Sequence, residues 1–380
     1  MMPASVDTQI SPSSATIAPG GPVLLLATQV FSSHGGVQSY MRRLLEVCHT
    51  YTQRSYGCVA LSATERAPEY LSRCRMFASG SKAGYTAAAI QAAARIRPAL
   101  VIAGHLGVAP VATLLTESGL ARSSAVVLHG IEAWRRITWT DRFAARRADA
   151  VIATTRFTAN EFTRFNGVDP AKTVVVPLAL RHSNLPAPRT ATASDRVRIL
   201  TVGRLVSSDE YKGIDTLIHA MRLLRPHHAR LQLDIVGQGD DSDRLLQIAR
   251  QEGVCDMVRF HGAVSDEVLE ELYSACDIFA LPSRAEGFGI VFLEAMRHAK
   301  PCVGGNHGGT PEVIDHQATG LLVEHGDVAA LASAIHQLAD SPALRSAWGL
   351  AGQKKVAANY LFQAFESNWH QAMDAITKAR

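Results

Sequence analysis

Strand-length apolar runs alternate with longer amphipathic or alanine-rich segments from Val23 onward, and the alternation occurs in two separate series. The pattern leaves few folds open. A β-α unit brings the chain back parallel to its first strand, and parallel strands need helices over both faces. The first series predicts strands at Val23–Val30, Tyr56–Leu61, Leu100–Gly104, Ala125–His129, Ala150–Ala153 and Thr173–Val176. The second predicts Val197–Val202, Leu231–Val236, Met257–Phe260, Ile278–Leu281 and Pro301–Gly304. Between them, Pro177–Asp195 holds three prolines and no periodicity, as a linker does. At 380 residues the chain exceeds what one hydrophobic core normally organises. The expected organisation is a flexible tail (1–22), a front domain (23–180), a linker (181–195) and a rear domain (196–358). The fold class is α/β, with two parallel-sheet domains facing a central cleft.

In such sheets ligands bind beyond the carboxyl ends of the strands, so motifs just after a strand carry the most information. After the first strand, Gly35-Gly36 opens a helical pattern whose free N–H groups would suit a phosphate. A tight turn accounts for the two glycines equally well. The loop lacks the third glycine of the dinucleotide fingerprint, which counts against a nicotinamide oxidoreductase. In the rear half, Gly203-Arg204 ends one strand and Lys212-Gly213 is expected to begin the next helix, so a guanidinium and an ammonium arrive from one loop. Such a pair grips a diphosphate, the first through forked hydrogen bonds and the second as a point charge.

Leu281 to Met296 is the most informative stretch. A strand ends at Pro282, a glycine-flanked turn displays Glu286, and a helix starts near Gly289 with Glu294 facing inward among hydrophobes. Buried carboxylates need partners, and sugar or ribose hydroxyls are suitable ones. The N–H groups of Phe288, Gly289 and Ile290 stand at the helix start, where a phosphate would be welcome.

Glu286 and Glu294, separated by seven residues in E-G-F-G-I-V-F-L-E-A-M, resemble the paired-glutamate signature of the retaining GT-B glycosyltransferases of family 4. Gly203-Arg204, Lys212-Gly213 and Gly308-Gly309-Thr310-Pro311-Glu312 are similar to other signatures of that family, and the match runs from Val23 to the end. The resemblance implies two Rossmann-like domains and transfer of a hexose from a nucleotide-diphosphate sugar. It implies Arg204 and Lys212 on the donor diphosphate, Glu294 on the ribose and Glu286 on the transferred sugar. It also implies Gly203 and the backbone of Gly287, Phe288, Gly289 and Ile290 around the donor, with Gly35 and Gly36 touching its phosphate from the opposite lobe. Val264 would hold the base through main-chain atoms, and His129 would stand near the reacting sugar. The last helix, 359–380, would return to the front domain. The implied partners are GDP-mannose, slightly preferred, or UDP-glucose, and a glycan or polyprenyl-diphosphate acceptor, with neither cofactor, metal nor nucleic acid. Val206–Tyr211 makes the loop before Lys212 longer than many members show, which bears on where that lysine lies.

Composition adds the setting. Residues 1–190 hold 20 Lys and Arg against 10 Asp and Glu, a charge of +10, and the remainder carries −6. A basic front lobe fits an anionic partner or equally a solvated face. Within it, Trp134 to Arg147 mixes aromatic and cationic residues, as a segment lying on anionic lipid would. No apolar run nears the roughly 20 residues of a spanning helix, and six scattered cysteines match a reducing compartment. A cytoplasmic protein, peripheral on the inner membrane face, is the expectation. Asp241-Ser242-Asp243 has the form of a metal-binding Asp-x-Asp, but its place before Arg244-Leu245-Leu246 predicts a helix cap and first turn instead. An epimerase or sugar phosphorylase would fit the same scaffold, since fold alone does not fix function.

Overall fold

The computed structural model describes residues 20–31, 35–62, 66, 68–180, 184–188, 196–228 and 230–378. Nearly all of the expected tail, and most of the linker, lie outside the described residues.

Seven strands form the front sheet: β1 (Val23–Ala27), β2 (Tyr56–Ala60), β3 (Cys74–Ala78), β4 (Leu100–Ala103), β5 (Ser123–Leu128), β6 (Ala150–Ala153) and β7 (Thr173–Val175). Six form the rear sheet: β8 (Val197–Val202), β9 (Leu231–Val236), β10 (Val258–Gly262), β11 (Ile278–Leu281), β12 (Cys302–Gly305) and β13 (Gly320–Val323). The orders are β3-β2-β1-β4-β5-β6-β7 and β10-β9-β8-β11-β12-β13, with parallel pairing in each. Strand order therefore reverses between β1 and β4, and again between β8 and β11. At such switch points the loops diverge and leave a crevice.

Burial explains why the central strands were readable. In β1 every residue is fully buried; Val23, Leu25 and Ala27 join one core cluster while Leu24 and Leu26 join the other, so both faces are covered. The edges behave differently. β3 and β13 escaped the pattern because β3 is only partly buried and β13 has four residues opening on glycine. That glycine has a reason: a Cβ at Gly320 would lie 1.9 Å from the Cys302 carbonyl oxygen on β12. β1 also stops at Ala27 rather than Val30.

The expected last helix, 359–380, begins at Phe362 and follows a separate helix that ends at Asn359. Pro342–Asn359 packs on the rear lobe, and Phe362–Lys378 crosses to the front, so Asn359 belongs to the first. On the second, Trp369 is fully buried and its indole N–H donates to Tyr40 Oη at 3.2 Å. Tyr51 Oη–H donates to Asp374 at 2.8 Å nearby. Part of the linker is tied to the rear lobe, through Arg297 to Asn184 and Gln353 to the Pro186 carbonyl at 2.8 Å.

The lobes also touch directly. Glu312 accepts from the backbone N–H groups of Arg156 (2.9 Å) and Phe157 (2.8 Å), at the N-terminus of the front-lobe helix Arg156–Asn166. A carboxylate from one lobe thus satisfies the free donors and positive dipole end of a helix in the other.

Trp369→Ala is expected to lower stability by about 3–5 kcal/mol, the usual cost of emptying a buried tryptophan site. Denaturant unfolding of the two proteins measures it. A loss under about 1 kcal/mol would mean that the returning helix contributes little to the front lobe.

Candidate active site

The rear switch point gathers side chains from the loops after β8 and β11. Lys212 Nζ donates to Glu286 Oε1 at 3.0 Å, and each side chain is only 14% exposed. Gly203 makes this reach possible: a Cβ there would stand 3.3 Å from Lys212 Cδ, so the lysine stem runs over the glycine at the end of β8. Burial works to lower the Lys212 pKa, but the Glu286 carboxylate outweighs it and raises the net value, so the ammonium stays charged.

The long loop folds into 3₁₀ turns over Ser207–Lys212. Lys212 therefore ends a short segment instead of opening a helix, and Gly213, at φ 70°, leads into the helix Ile214–Leu224. The two loops brace each other. Arg284 N–H donates to the Tyr211 carbonyl at 2.8 Å, and a Cβ on Gly213 would come within 2.8 Å of the Pro282 carbonyl oxygen. Arg204 stands apart from this pair. Its guanidinium lies 2.8 Å from Asp209 Oδ2 while the side chain is 72% exposed. The structure thus brings Lys212 and Glu286 together and leaves Arg204 on an acidic partner within its own loop.

Glu294 sits in the helix Ile290–Arg297, half-buried, and accepts from Tyr273 Oη–H at 2.8 Å. Burial pushes its pKa up to about 7, with the tyrosine hydrogen bond opposing. Gly289, at φ 87°, leads into that helix without a side-chain cap, and the Phe292 N–H closes back on the Gly289 carbonyl at 3.0 Å. Phe288 is buried, edge-on to Tyr360 at 5.8 Å. Val264 follows β10 and is partly buried against the rear core.

On the front lobe His129 follows β5 directly. Its Nε2 lies 2.8 Å from the Gly104 carbonyl at the end of β4; a carbonyl only accepts, so Nε2 carries the proton and Nδ1 is the ring's acceptor. Burial lowers its pKa despite Glu132 nearby, favouring the neutral ring. Tyr40 meets the imidazole edge-on at 5.2 Å. Gly35 has extended backbone (φ 164°), so no positive φ explains it; the helix Gly36–Tyr51 simply starts there without a side-chain cap, and a Cβ on Gly36 would meet nothing within 4 Å.

Backbone glycines bring the two lobes together beside Glu286. A Cβ on Gly130 would lie 2.4 Å from Gly287 Cα, and one on Gly287 would lie 2.4 Å from the His129 carbonyl oxygen. Thr155 Oγ1 reaches the Gly287 carbonyl at 3.3 Å from the same side. His129 and Glu286 are thereby neighbours in sequence to residues in contact across the cleft.

Asp241 precedes the helix Ser242–Gln251 and its carboxylate is taken by Arg244, through Nε at 2.5 Å and Nη2 at 2.7 Å. Asp243 is exposed in the first turn. Sequence reasoning missed Tyr273, Asp209 and Thr155, each of which acts on a site residue through the fold. Their types carry no motif, so only contact reveals them.

A family model for glycosyl transferases group 1 matches residues 187–355, and one for a glycosyl transferase 4-like domain matches residues 35–179. A GDP-mannose-dependent alpha-(1-6)-phosphatidylinositol monomannoside mannosyltransferase from Mycobacterium tuberculosis is 28% identical, over 89% of this chain and 94% of that protein. The protein of the same description from Mycolicibacterium smegmatis is 30% identical, over 72% of this chain and 76% of its own length. Among solved structures, Anabaena HepE in complex with UDP superposes with a TM-score of 0.76 at 20% identity, covering 93% of this chain and all of HepE. Sucrose-phosphate synthase from Thermosynechococcus elongatus gives 0.77 at 21%, covering 95% and 100%.

The chain is an α/β protein of GT-B fold, two Rossmann-like domains about a cleft. It belongs to the group 1, family 4 glycosyltransferases and is an enzyme that transfers a sugar from a nucleotide sugar.

The raised Glu294 pKa sets a pH dependence. The folded state holds this proton more tightly than the unfolded chain, so stability present at low pH is lost as pH rises from the ordinary glutamate range through about 7. Relative to the parent, Glu294→Gln is expected to gain on the order of 2 kcal/mol between pH 5 and pH 8. Unfolding curves at the two values check this; a constant difference would mean that Glu294 titrates normally.

Proposed function

We propose that this enzyme is a retaining mannosyltransferase that takes mannose from GDP-mannose and delivers it to a lipid-anchored, phosphate-bearing acceptor at an anionic membrane face. The carrying observation is the Lys212–Glu286 pair at the rear switch point. It offers a cation for the departing diphosphate and a carboxylate for the sugar in one place. The donor choice is supported by the mycobacterial relatives, whose names specify GDP-mannose.

In this reading the diphosphate settles against Lys212 and the uncapped helix start at Gly289, and Arg204 swings from Asp209 to join them. Glu294 accepts ribose hydroxyls. Glu286, released from the lysine by the incoming phosphate, stabilises positive character on the sugar. The anomeric carbon–oxygen bond to phosphate breaks, the acceptor oxygen attacks from the same face, and its proton passes to a phosphate oxygen. Catalysis then comes from positioning and prearranged charge, with no metal ion called on. Neutral His129, brought in by closure at Gly130 and Gly287, lies at the sugar. Closure also keeps water from the donor.

The front lobe supports the acceptor assignment. Trp139 is 70% exposed and stacks on exposed Phe143 at 6.1 Å, with exposed Arg135 and Arg136 just before them. Trp134, by contrast, is turned inward, its indole N–H on Thr158 at 3.1 Å. No helix among the described residues is long and apolar enough to cross a membrane, so attachment through this surface is the proposed mode.

With purified enzyme and a lipid-linked acceptor, GDP release is expected from GDP-mannose and only slight UDP release from UDP-glucose; the reverse preference would overturn the donor assignment. An α-linked product by NMR is expected, and a β-linked one would overturn retention. Glu286→Ala should keep GDP affinity and lose turnover by roughly 100-fold or more. Full turnover in that variant would remove the carboxylate from the chemistry. Trp139→Ser should weaken sedimentation with acidic vesicles, an interaction that added salt also weakens; salt-independent binding would refute the membrane face.

A further inference from the structure

The rear lobe carries a cluster unrelated to the cleft. His228 lies in the turn between the helix Ile214–Leu224 and β9, while His336 and Asp340 occupy one face of the helix Val328–Asp340, four residues apart. The three ligand-bearing groups converge. His228 Nε2 is 3.4 Å from Asp340 Oδ1, His336 Nε2 is 3.5 Å from Asp340 Oδ2, and His228 Nε2 is 2.6 Å from His336 Nδ1. All three ligand atoms lie within 4.8 Å of one another.

These separations are informative. Ligands at roughly 2.0–2.1 Å from a tetrahedral zinc ion stand about 3.3 Å apart, which is what His228 Nε2 and Asp340 Oδ1 already show at 3.4 Å, and one ring nitrogen of His336 lies within 4.8 Å of both. The His228–His336 contact is a hydrogen bond between two imidazoles, one donating and one accepting. Replacing that shared proton with a cation requires the two nitrogens to part from 2.6 Å to about 3.3 Å, within the reach of a side-chain rotation. Asp340 is the last residue of its helix, where the negative end of the dipole adds to its charge in favour of a cation. His336 and Asp340 are 48% and 58% exposed, which gives an ion a way in, while His228, at 16%, is held in place.

We propose that His228, His336 and Asp340 form a binding site for a divalent metal of the zinc class, which clamps the turn before β9 to the helix Val328–Asp340. Two imidazoles and one carboxylate, with no thiolate, suit zinc and its borderline neighbours better than calcium or magnesium, which prefer all-oxygen sets. The site lies at the amino ends of the rear strands, because it precedes β9 and closes the helix that returns after β13. The Lys212–Glu286 pair lies at their carboxyl ends. The ion would therefore serve the lobe's stability and leave sugar transfer unaffected.

The test uses untagged, metal-stripped full-length protein titrated with zinc chloride in a calorimeter, with thermal unfolding recorded alongside. One equivalent is expected to bind and to raise the melting temperature with the logarithm of one plus the ratio of free zinc to its dissociation constant. His336→Ala and Asp340→Asn, both at exposed positions, should each weaken binding about tenfold or more and abolish the thermal shift. The cobalt-substituted protein should show visible d–d bands without a thiolate charge-transfer band. Absence of stoichiometric binding in the parent, undiminished binding in both variants, or a thiolate band that places the ion on a cysteine would each overturn the proposal.

Discussion

A largely buried ion pair between a lysine and a glutamate braces the two loops that meet at the rear switch point. Lys212 and Glu286 come from different loops, and each would be costly to leave alone at that depth. Together they fix the loops after β8 and β11 against one another, and backbone contacts from Tyr211 to Arg284 reinforce the arrangement. The pair satisfies itself in the absence of substrate. In the proposed reaction it is also divisible, because a diphosphate would take over the ammonium and a sugar hydroxyl the carboxylate. A site that must hold opposite charges in a partly dry crevice gains from such a stand-in, since neither group has to be buried unpaired before the donor arrives.

Position does the rest. Both members of the pair lie at the point where strand order reverses in the rear sheet, and the helix start at Gly35 and Gly36 occupies the matching point of the front sheet. The lobes then meet through backbone, with Gly130 against Gly287 and Thr155 on the same turn. Side chains at either glycine would hold the lobes apart. Glu312 makes the complementary contact, a carboxylate from the rear lobe closing the start of a front-lobe helix. One interface thus combines close packing with exchangeable hydrogen bonds, which favours lobes able to part and return.

Much of the candidate site was legible because its residue types are costly anywhere else. A carboxylate in an apolar helix, as at Glu294, and one in a glycine-flanked turn, as at Glu286, announce themselves by being out of place. Arg204 was legible as a cation but its partner was not: Asp209 is an ordinary loop aspartate until the 3₁₀ turns bring it back onto the guanidinium. Tyr273 was hidden for the same reason, since its helix looks like any amphipathic helix and only packing sets its hydroxyl on Glu294. The edge strands β3 and β13 were lost because half-buried or very short strands leave no continuous apolar run.

The sequence alone determined the doubled parallel-sheet architecture and pointed to the residues on which the proposed transfer centres. Those properties follow from local periodicity and from the cost of burying charge, both of which a chain displays before it folds. Tertiary structure decided that Lys212 rests on Glu286 while Arg204 does not, which imidazole nitrogen of His129 carries the proton, and where the lobes touch. These depend on distances between segments remote in sequence, and a one-dimensional pattern contains no such distances.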